Sequence, residues 1–438
     1  MSASLDAAVA SSAPQGPRGS AEELSQRYVA VRAATRALTD PLEIEDYGLQ
    51  SMPDASPAKW HLAHTTWFFE TFVLAPQVPD YRPFHPRFGY LFNSYYETVG
   101  SMHPRPQRGL LTRPTVAQVQ RYRDRVDNDL LSLLQRGVND EIAAVIEVGL
   151  HHEQQHQELV LTDLKHGLSC NPLQPAYQRS PSLSPSPAES SPVSWIEHPG
   201  GVMEIGHVGD GFCFDNEQPR HRTYLQPFAI ASRLVTCGEF LEFMADDGYR
   251  RPELWLSAGW ATVREQGWRA PLYWSREHES PTEGWQQFTL SGIRPVDPAE
   301  PVCHLSLFEA DAFARWSGHR LPTEAEWEIA CSSRPVRGNL VESGALHPVP
   351  LGRAEGPGPH QAFGDVWEWT CSAYAPYPGF RPLDGALAEY NGKFMCNQLV
   401  LRGGSCATPA SHVRASYRNF FPPEARWQFA GLRLATDP

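Results

Sequence analysis

Leu150-His-His-Glu-Gln-Gln-His-Gln-Glu-Leu159 carries two histidines, His152 and His156, four residues apart. On an α-helix that spacing puts both imidazoles on one face, where they can share a metal ion. Val145, Gly149, His152, His156, Leu159 and Asp163 fall on one stripe at steps of three and four, so the pair continues the apolar face that meets a bundle. His151 lies about 100° away around the helix and is set aside; Glu158 is on neither ligand's row. A third imidazole is on offer in Trp60-His-Leu-Ala-His-Thr-Thr-Trp67. Periodicity does not choose between its two histidines: His64 shares a stripe with Trp60, Trp67 and Phe68, and His61 shares one with Phe68 and Phe72. Three neutral ligands leave coordination positions open, as catalytic sites do, and they suit zinc, iron or copper alike.

Outward from this stretch, helical periodicity over about 21–39, 57–75, 115–136 and 139–167 predicts a four-helix bundle, a fold whose metal sites are built from facing helices. A Pro/Tyr-rich stretch at 76–114 is long for a connection, and long loops in compact domains often carry function. The run Ser180-Pro-Ser-Leu-Ser-Pro-Ser-Pro-Ala-Glu-Ser-Ser-Pro-Val193 excludes helix and central strand and reads as a linker. Downstream, Trp, Gly, Pro and short β-prone pieces predict a mixed α+β domain with sparse regular structure and brief helices near 305–317 and 324–331. The expected organisation is a disordered tail (1–20), a helical domain (21–170), a linker (171–193) and a second domain (194–438).

Composition narrows the function classes. A chain of 438 residues with 41% hydrophobic and 20% charged residues expects more than one core and no membrane span. A net charge of −13 without clustered Lys and Arg argues against nucleic acid as a partner. The N-terminal stretch lacks the features of a secretory signal, and eight scattered cysteines form no Cys-x-x-Cys pair. Reduced thiols and a cytoplasmic location are expected, with a small molecule as substrate.

The stretch Ser56-Pro-Ala-Lys-Trp-His-Leu-Ala-His-Thr-Thr-Trp-Phe-Phe-Glu70, together with His152-Glu-Gln-Gln-His-Gln-Glu158, resembles the DinB-like domain of the ergothioneine-biosynthesis sulfoxide synthases. The second half resembles their partner domain, of the formylglycine-generating-enzyme type with a C-type-lectin-like arrangement. The motifs that carry this are Leu321-Pro-Thr-Glu-Ala-Glu-Trp-Glu328, Phe363-Gly-Asp-Val-Trp-Glu-Trp-Thr370, Leu401-Arg-Gly-Gly-Ser405 and Gly431-Leu-Arg-Leu434. The resemblance selects His64 and implies iron(II) on His64, His152 and His156. It further implies hercynine, a thiol (cysteine or γ-glutamylcysteine) and dioxygen as substrates, joined through a carbon–sulfur bond and a sulfoxide. Formylglycine-generating enzymes carry two copper-binding cysteines at places corresponding to Thr408 and Val413. Both are missing here, so Cys406 is expected to be a packed thiol and the second domain to supply a wall of the site.

The same resemblance marks the substrate residues. In Asn93-Ser-Tyr-Tyr-Glu97, Tyr95 and Tyr96 are the expected proton donors, since a phenol stays neutral near pH 7; Tyr377 and Tyr390 are weaker alternatives. Arg105 and Arg108, in His103-Pro-Arg-Pro-Gln-Arg-Gly109, match positions that hold the thiol's carboxylate, a task that suits the guanidinium fork. Gln155 is expected on the hercynine imidazole, and Asn419, Phe420 and Phe421 around its quaternary ammonium; Trp427 is expected to be structural. Two rival readings are a zinc-dependent thiol transferase and a non-catalytic module that binds hercynine or thiol.

Overall fold

Ser20 and Glu23 cap each other reciprocally, and from this box runs the first helix, α1 (Ala21–Thr39), of a computed structural model that describes residues 20–178, 192–276, 284–352 and 356–438. The expected tail, Ser20 apart, and residues 179–191 of the expected linker lie outside the described residues. Two units are distinguished. One takes in the chain up to Leu164 with Val208–Pro219 and Pro376–Phe394; the other takes in Lys165–His207, Arg220–Ala375 and Met395–Pro438.

In the first unit α1 is followed by α2 (Ala58–Phe69), α3 (Val116–Gln135) and, as far as Leu164, α4 (Asp140–Ser169). A second capping box, Thr115 with Gln118, opens α3. Every residue of α2 is buried, so this helix is the centre of the bundle. The pattern predicts it as far as residue 75, but the α-helix gives way to a wider π-turn at Glu70–Leu74, where the buried Glu70 carboxylate accepts from Tyr122 Oη (2.7 Å), Phe84 N (2.8 Å) and Tyr81 Oη (3.1 Å).

A buried carboxylate ties the four helices together. Glu153 on α4 accepts from Arg32 Nη1 (2.8 Å) and Thr35 Oγ1 (2.7 Å) on α1 and from Arg123 Nη2 (2.9 Å) on α3. Arg123 Nη1 in turn donates to Leu62 O on α2 at 3.0 Å. Burial pushes the Glu153 carboxyl up, but the two guanidinium charges outweigh it and hold it at about 2. Removing one partner from such an ion cluster costs about 3–5 kcal/mol, because the remaining charge is left buried. Gly149 sets how close α4 comes to α2: a Cβ there would lie 2.5 Å from Phe69 Cε1 and 2.9 Å from Phe68 Cε1.

The second unit holds all the strands described. Strands β1 (Trp195–His198), β4 (Phe228–Ala231) and β12 (Ala435–Thr436) form one sheet, with β4 central. Strand β2 (Gly201–Ile205) pairs with β3 (His221–Leu225), and β5 (Trp274–Ser275), β6 (Gln286–Thr289) and β7 (Gly292–Pro295) form a three-stranded sheet. A four-stranded sheet runs β10 (Asn419–Phe421), β9 (Leu399–Arg402), β8 (Trp367–Ala373), β11 (Ala430–Gly431). Its helices are brief: α5 (Cys237–Ala245), α6 (Ser257–Gln266), α7 (Leu307–Trp316) and α8 (Glu324–Cys331).

Charged residues join the four sequence motifs in pairs here, Glu368 with Arg433 and Glu324 with Arg402. Glu368 accepts from Arg433 Nε (2.8 Å) and Nη2 (2.9 Å) and from Trp327 Nε1 (2.8 Å). Glu324 accepts from Arg402 Nη2 (3.0 Å) and Arg418 Nε (2.9 Å). Between the strands, Gly403 has φ +96°, and a Cβ on it would lie 2.6 Å from Ala362 O, so only glycine fits. Cys406 is fully buried, and all eight cysteines are free thiols.

Candidate metal centre

His64 projects from α2, and His152 and His156 project from α4 through the narrow gap that Gly149 permits. One nitrogen of each lies within 4.8 Å of the others, the group among the described residues that could hold a metal ion. His64 Nδ1 donates to Phe92 O at 2.6 Å, so its Nε2 is the lone-pair nitrogen, and that atom lies 3.2 Å from His152 Nε2. The His64 ring stacks on Trp60 and on Trp67, at 4.5 and 5.6 Å between centroids, which fixes its plane. Burial pushes all three imidazoles below their ordinary range, His152 to about 3.

Three neutral imidazoles with no carboxylate among them fit a divalent transition metal. His152 Nδ1 is buried without a hydrogen-bond partner among the described residues. Behind His156, His61 Nδ1 lies 2.7 Å from His156 Nδ1, and His61 Nε2 lies 3.1 Å from Asp163 Oδ2. Periodicity left His61 and His64 as alternatives for one role; in the structure they have different neighbours.

The tyrosine loop lies against this cluster. Asn93 pins it, donating from Nδ2 to Tyr96 O and Gly100 O at 3.0 Å each. Tyr96 is fully buried against Trp67 and Phe72, and Tyr95 Oη donates to Tyr96 Oη at 3.5 Å. Burial pushes both phenols above their ordinary range, so both are neutral at pH 7.

Two stretches from beyond the expected linker, Val208–Pro219 and Pro376–Phe394, complete the first unit. Phe214 stacks on Tyr390 at 5.4 Å, and Phe212 stacks on His151 at 3.9 Å. Tyr390 meets His152 edge-on at 5.7 Å and Tyr95 at 6.2 Å, and its hydroxyl donates to Gln155 Oε1. Glu389 accepts from Glu97 N (3.1 Å) and Thr98 N (3.0 Å), while Lys393 Nζ donates to Tyr95 O. These residues hold the tyrosine loop, and no local pattern marks them, since they are almost 300 positions from it.

The two arginines differ. Arg108 is buried: its guanidinium lies 3.4 Å from the Trp60 ring centroid, Nη1 donates to Ser56 Oγ at 2.9 Å and Nη2 to Ser94 Oγ at 3.1 Å. Its Nε is buried without a partner, and no carboxylate among the described residues pairs with it. Burial pushes its pKa down to about 9. Arg105 is exposed and donates to Asp54 O. Asn419, Phe420 and Phe421 form β10 of the second unit, where Phe420 stacks on Tyr374 at 4.0 Å and Phe421 meets Trp427 edge-on at 5.9 Å.

Comparison with known proteins adds independent findings. Residues 27–160 match the DinB superfamily, and residues 180–438 match the sulfatase-modifying factor enzyme 1-like domain. The chain is 33% identical over 440 residues to a hercynine oxygenase of Mycolicibacterium thermoresistibile, covering 95% of each chain. It is 32% identical to a hercynine oxygenase of Mycolicibacterium smegmatis, covering 95% of this chain and 99% of the other. A formylglycine-generating enzyme of Streptomyces coelicolor is 28% identical over 298 residues, covering 55% of this chain and 88% of its own.

Proposed function

Because the chain belongs to the hercynine oxygenases, oxidoreductases that act on hercynine, we propose that it is an iron(II)- and dioxygen-dependent sulfoxide synthase joining hercynine to cysteine or γ-glutamylcysteine. The observation that carries the reading is the convergence of three buried, neutral imidazoles from α2 and α4 beside two neutral phenols. Iron(II) held by His64, His152 and His156 would supply open positions and one-electron chemistry toward dioxygen. Overall, the imidazole C–H and the thiol S–H are lost, a carbon–sulfur bond forms, one oxygen atom enters the sulfoxide and the other leaves as water.

The protein's own groups orient the reactants and hold the protons. Arg108, buried with Nε unpaired, offers a bidentate guanidinium to the thiol's carboxylate. Arg105 is a second donor for it. Gln155, already in contact with Tyr390, is the hydrogen-bond partner for the hercynine imidazole; Asn419, Phe420 and Phe421 are proposed for its trimethylammonium group. Tyr95 holds a proton to donate at its Oη, and Tyr96 Oη accepts that hydrogen bond until a reactant takes it. The rings of Trp60, Trp67, Phe214 and Tyr390 exclude water from the imidazole cluster. No helix among the described residues is long and apolar enough to cross a membrane; the free cysteines support a reducing, cytoplasmic setting.

The test is metal analysis of protein purified without oxygen, followed by incubation with hercynine, each thiol and dioxygen. Iron retention and formation of the sulfoxide with matching oxygen consumption are expected. Retained zinc with no oxygen uptake would overturn the reading in favour of a thiol transferase, and saturable hercynine binding without product would favour a binding module. Competition between cysteine and γ-glutamylcysteine identifies the sulfur donor.

A further inference from the structure

His61 shares the fully buried helix α2 with His64 but sits behind the metal site, between His156 and Asp163. Its Nδ1 lies 2.7 Å from His156 Nδ1, and its Nε2 lies 3.1 Å from Asp163 Oδ2. The same carboxylate oxygen accepts from Ser56 N at 2.7 Å. His61 is 3% exposed and Asp163 7%, so water does not substitute for these contacts.

The direction of each hydrogen bond follows from the groups involved. A carboxylate has only acceptor sites, so the proton between Asp163 and His61 belongs to His61 Nε2. A neutral imidazole carries one N–H, which makes His61 Nδ1 an acceptor, and it takes its hydrogen bond from His156 Nδ1. His156 Nε2 is then the nitrogen left with a free lone pair. His64 reaches the same state by another route, donating from Nδ1 to Phe92 O.

We infer that Asp163 and His61 are positioning residues that fix the tautomer and ring orientation of His156 for metal binding, an inference that rests on the three-histidine reading above. Asp163 lies two turns beyond His156 on the stripe of α4 that holds the ligand pair. His61 lies three residues before His64 on α2. The chain of contacts therefore locks each ligand helix to the other at a point outside the metal's own reach. Outer carboxylate–histidine partners of this kind raise ligand basicity and hold the ring in place.

Cobalt(II) binding to the full-length, metal-free protein is the test, read by chelator competition and by the visible d–d spectrum, after each variant has been melted without metal. His61→Phe and Asp163→Ala are expected to weaken cobalt binding about 10–100-fold and to shift the spectrum. His61→Asn keeps an acceptor oxygen near the Nδ1 position and Asp163→Asn keeps one near Oδ2; both are expected to recover most of the affinity. If His61→Phe does not fold, the two Asp163 variants carry the comparison. Unchanged affinity and spectrum in His61→Phe, or no recovery in the asparagine variants, would overturn the proposal. Loss as complete as in His64→Ala would also overturn it, by making His61 a ligand. A wild-type protein that binds no cobalt would instead remove the three-histidine reading itself.

Discussion

The Lys165 amine is buried in the second unit, 2.7 Å from His304 Nε2 and within 5.1 and 4.9 Å of the Tyr273 and Phe429 ring centroids. Burial pushes its pKa down to about 8, against about 10.4 in an unfolded chain. Between those two pH values the unfolded chain binds more protons, so this residue's contribution to stability rises with pH. Denaturant titrations should show a gain on the order of 3 kcal/mol from pH 8 to about 10.5 in the wild type relative to Lys165→Met. Parallel profiles for the two proteins would refute it. At the metal centre, His64→Ala is expected to abolish metal binding while leaving the helical content intact, checked by cobalt titration and circular dichroism. That His152 and His156 share one face of α4 was legible, because a spacing of four selects one helical face. The choice between His61 and His64 was not, because α2 is buried on every side and has no polar face to orient it.

Among the elements, α2 and α4 decide whether the three nitrogens converge, and Gly149 controls their approach. Gly149→Ala would drive a Cβ to 2.5 Å from Phe69 Cε1, and overpacking of this kind costs about 1–3 kcal/mol. Because Phe68, which must also yield, packs against the His152 ring at 5.0 Å between centroids, weaker cobalt binding is expected together with a lower melting temperature. A loss of stability with unchanged affinity would show that the helices separate without moving the ligands. The motifs of the second unit were readable as signatures, but their physical basis was not. Glu368 with Arg433 and Glu324 with Arg402 are paired across 65 and 78 positions, a separation that periodicity does not reach. The edge-to-face and stacked contacts of Tyr390 were hidden for the same reason, with 235 positions between it and Gln155.

At the scale of the whole molecule, the first unit is assembled from three separated stretches of chain, the last ending at Phe394. A fragment ending at residue 178 keeps His64, His152 and His156 but lacks Phe212, Phe214 and Tyr390. It is expected to retain helical circular dichroism, to melt at lower temperature than the full chain and to form no sulfoxide. A fragment that matches the full chain in melting and in cobalt affinity would show those aromatic residues to be dispensable for the centre. The discontinuity also has a consequence in time. During synthesis the histidine cluster leaves the ribosome long before its covering residues exist; at about 5–20 residues per second, roughly 10–45 s separate α4 from Phe394. Throughout that interval a nascent chain that captured iron would hold it uncovered, open to any passing thiol or oxygen. Metal loading after release of the finished polypeptide is therefore the sequence of events that this chain order favours.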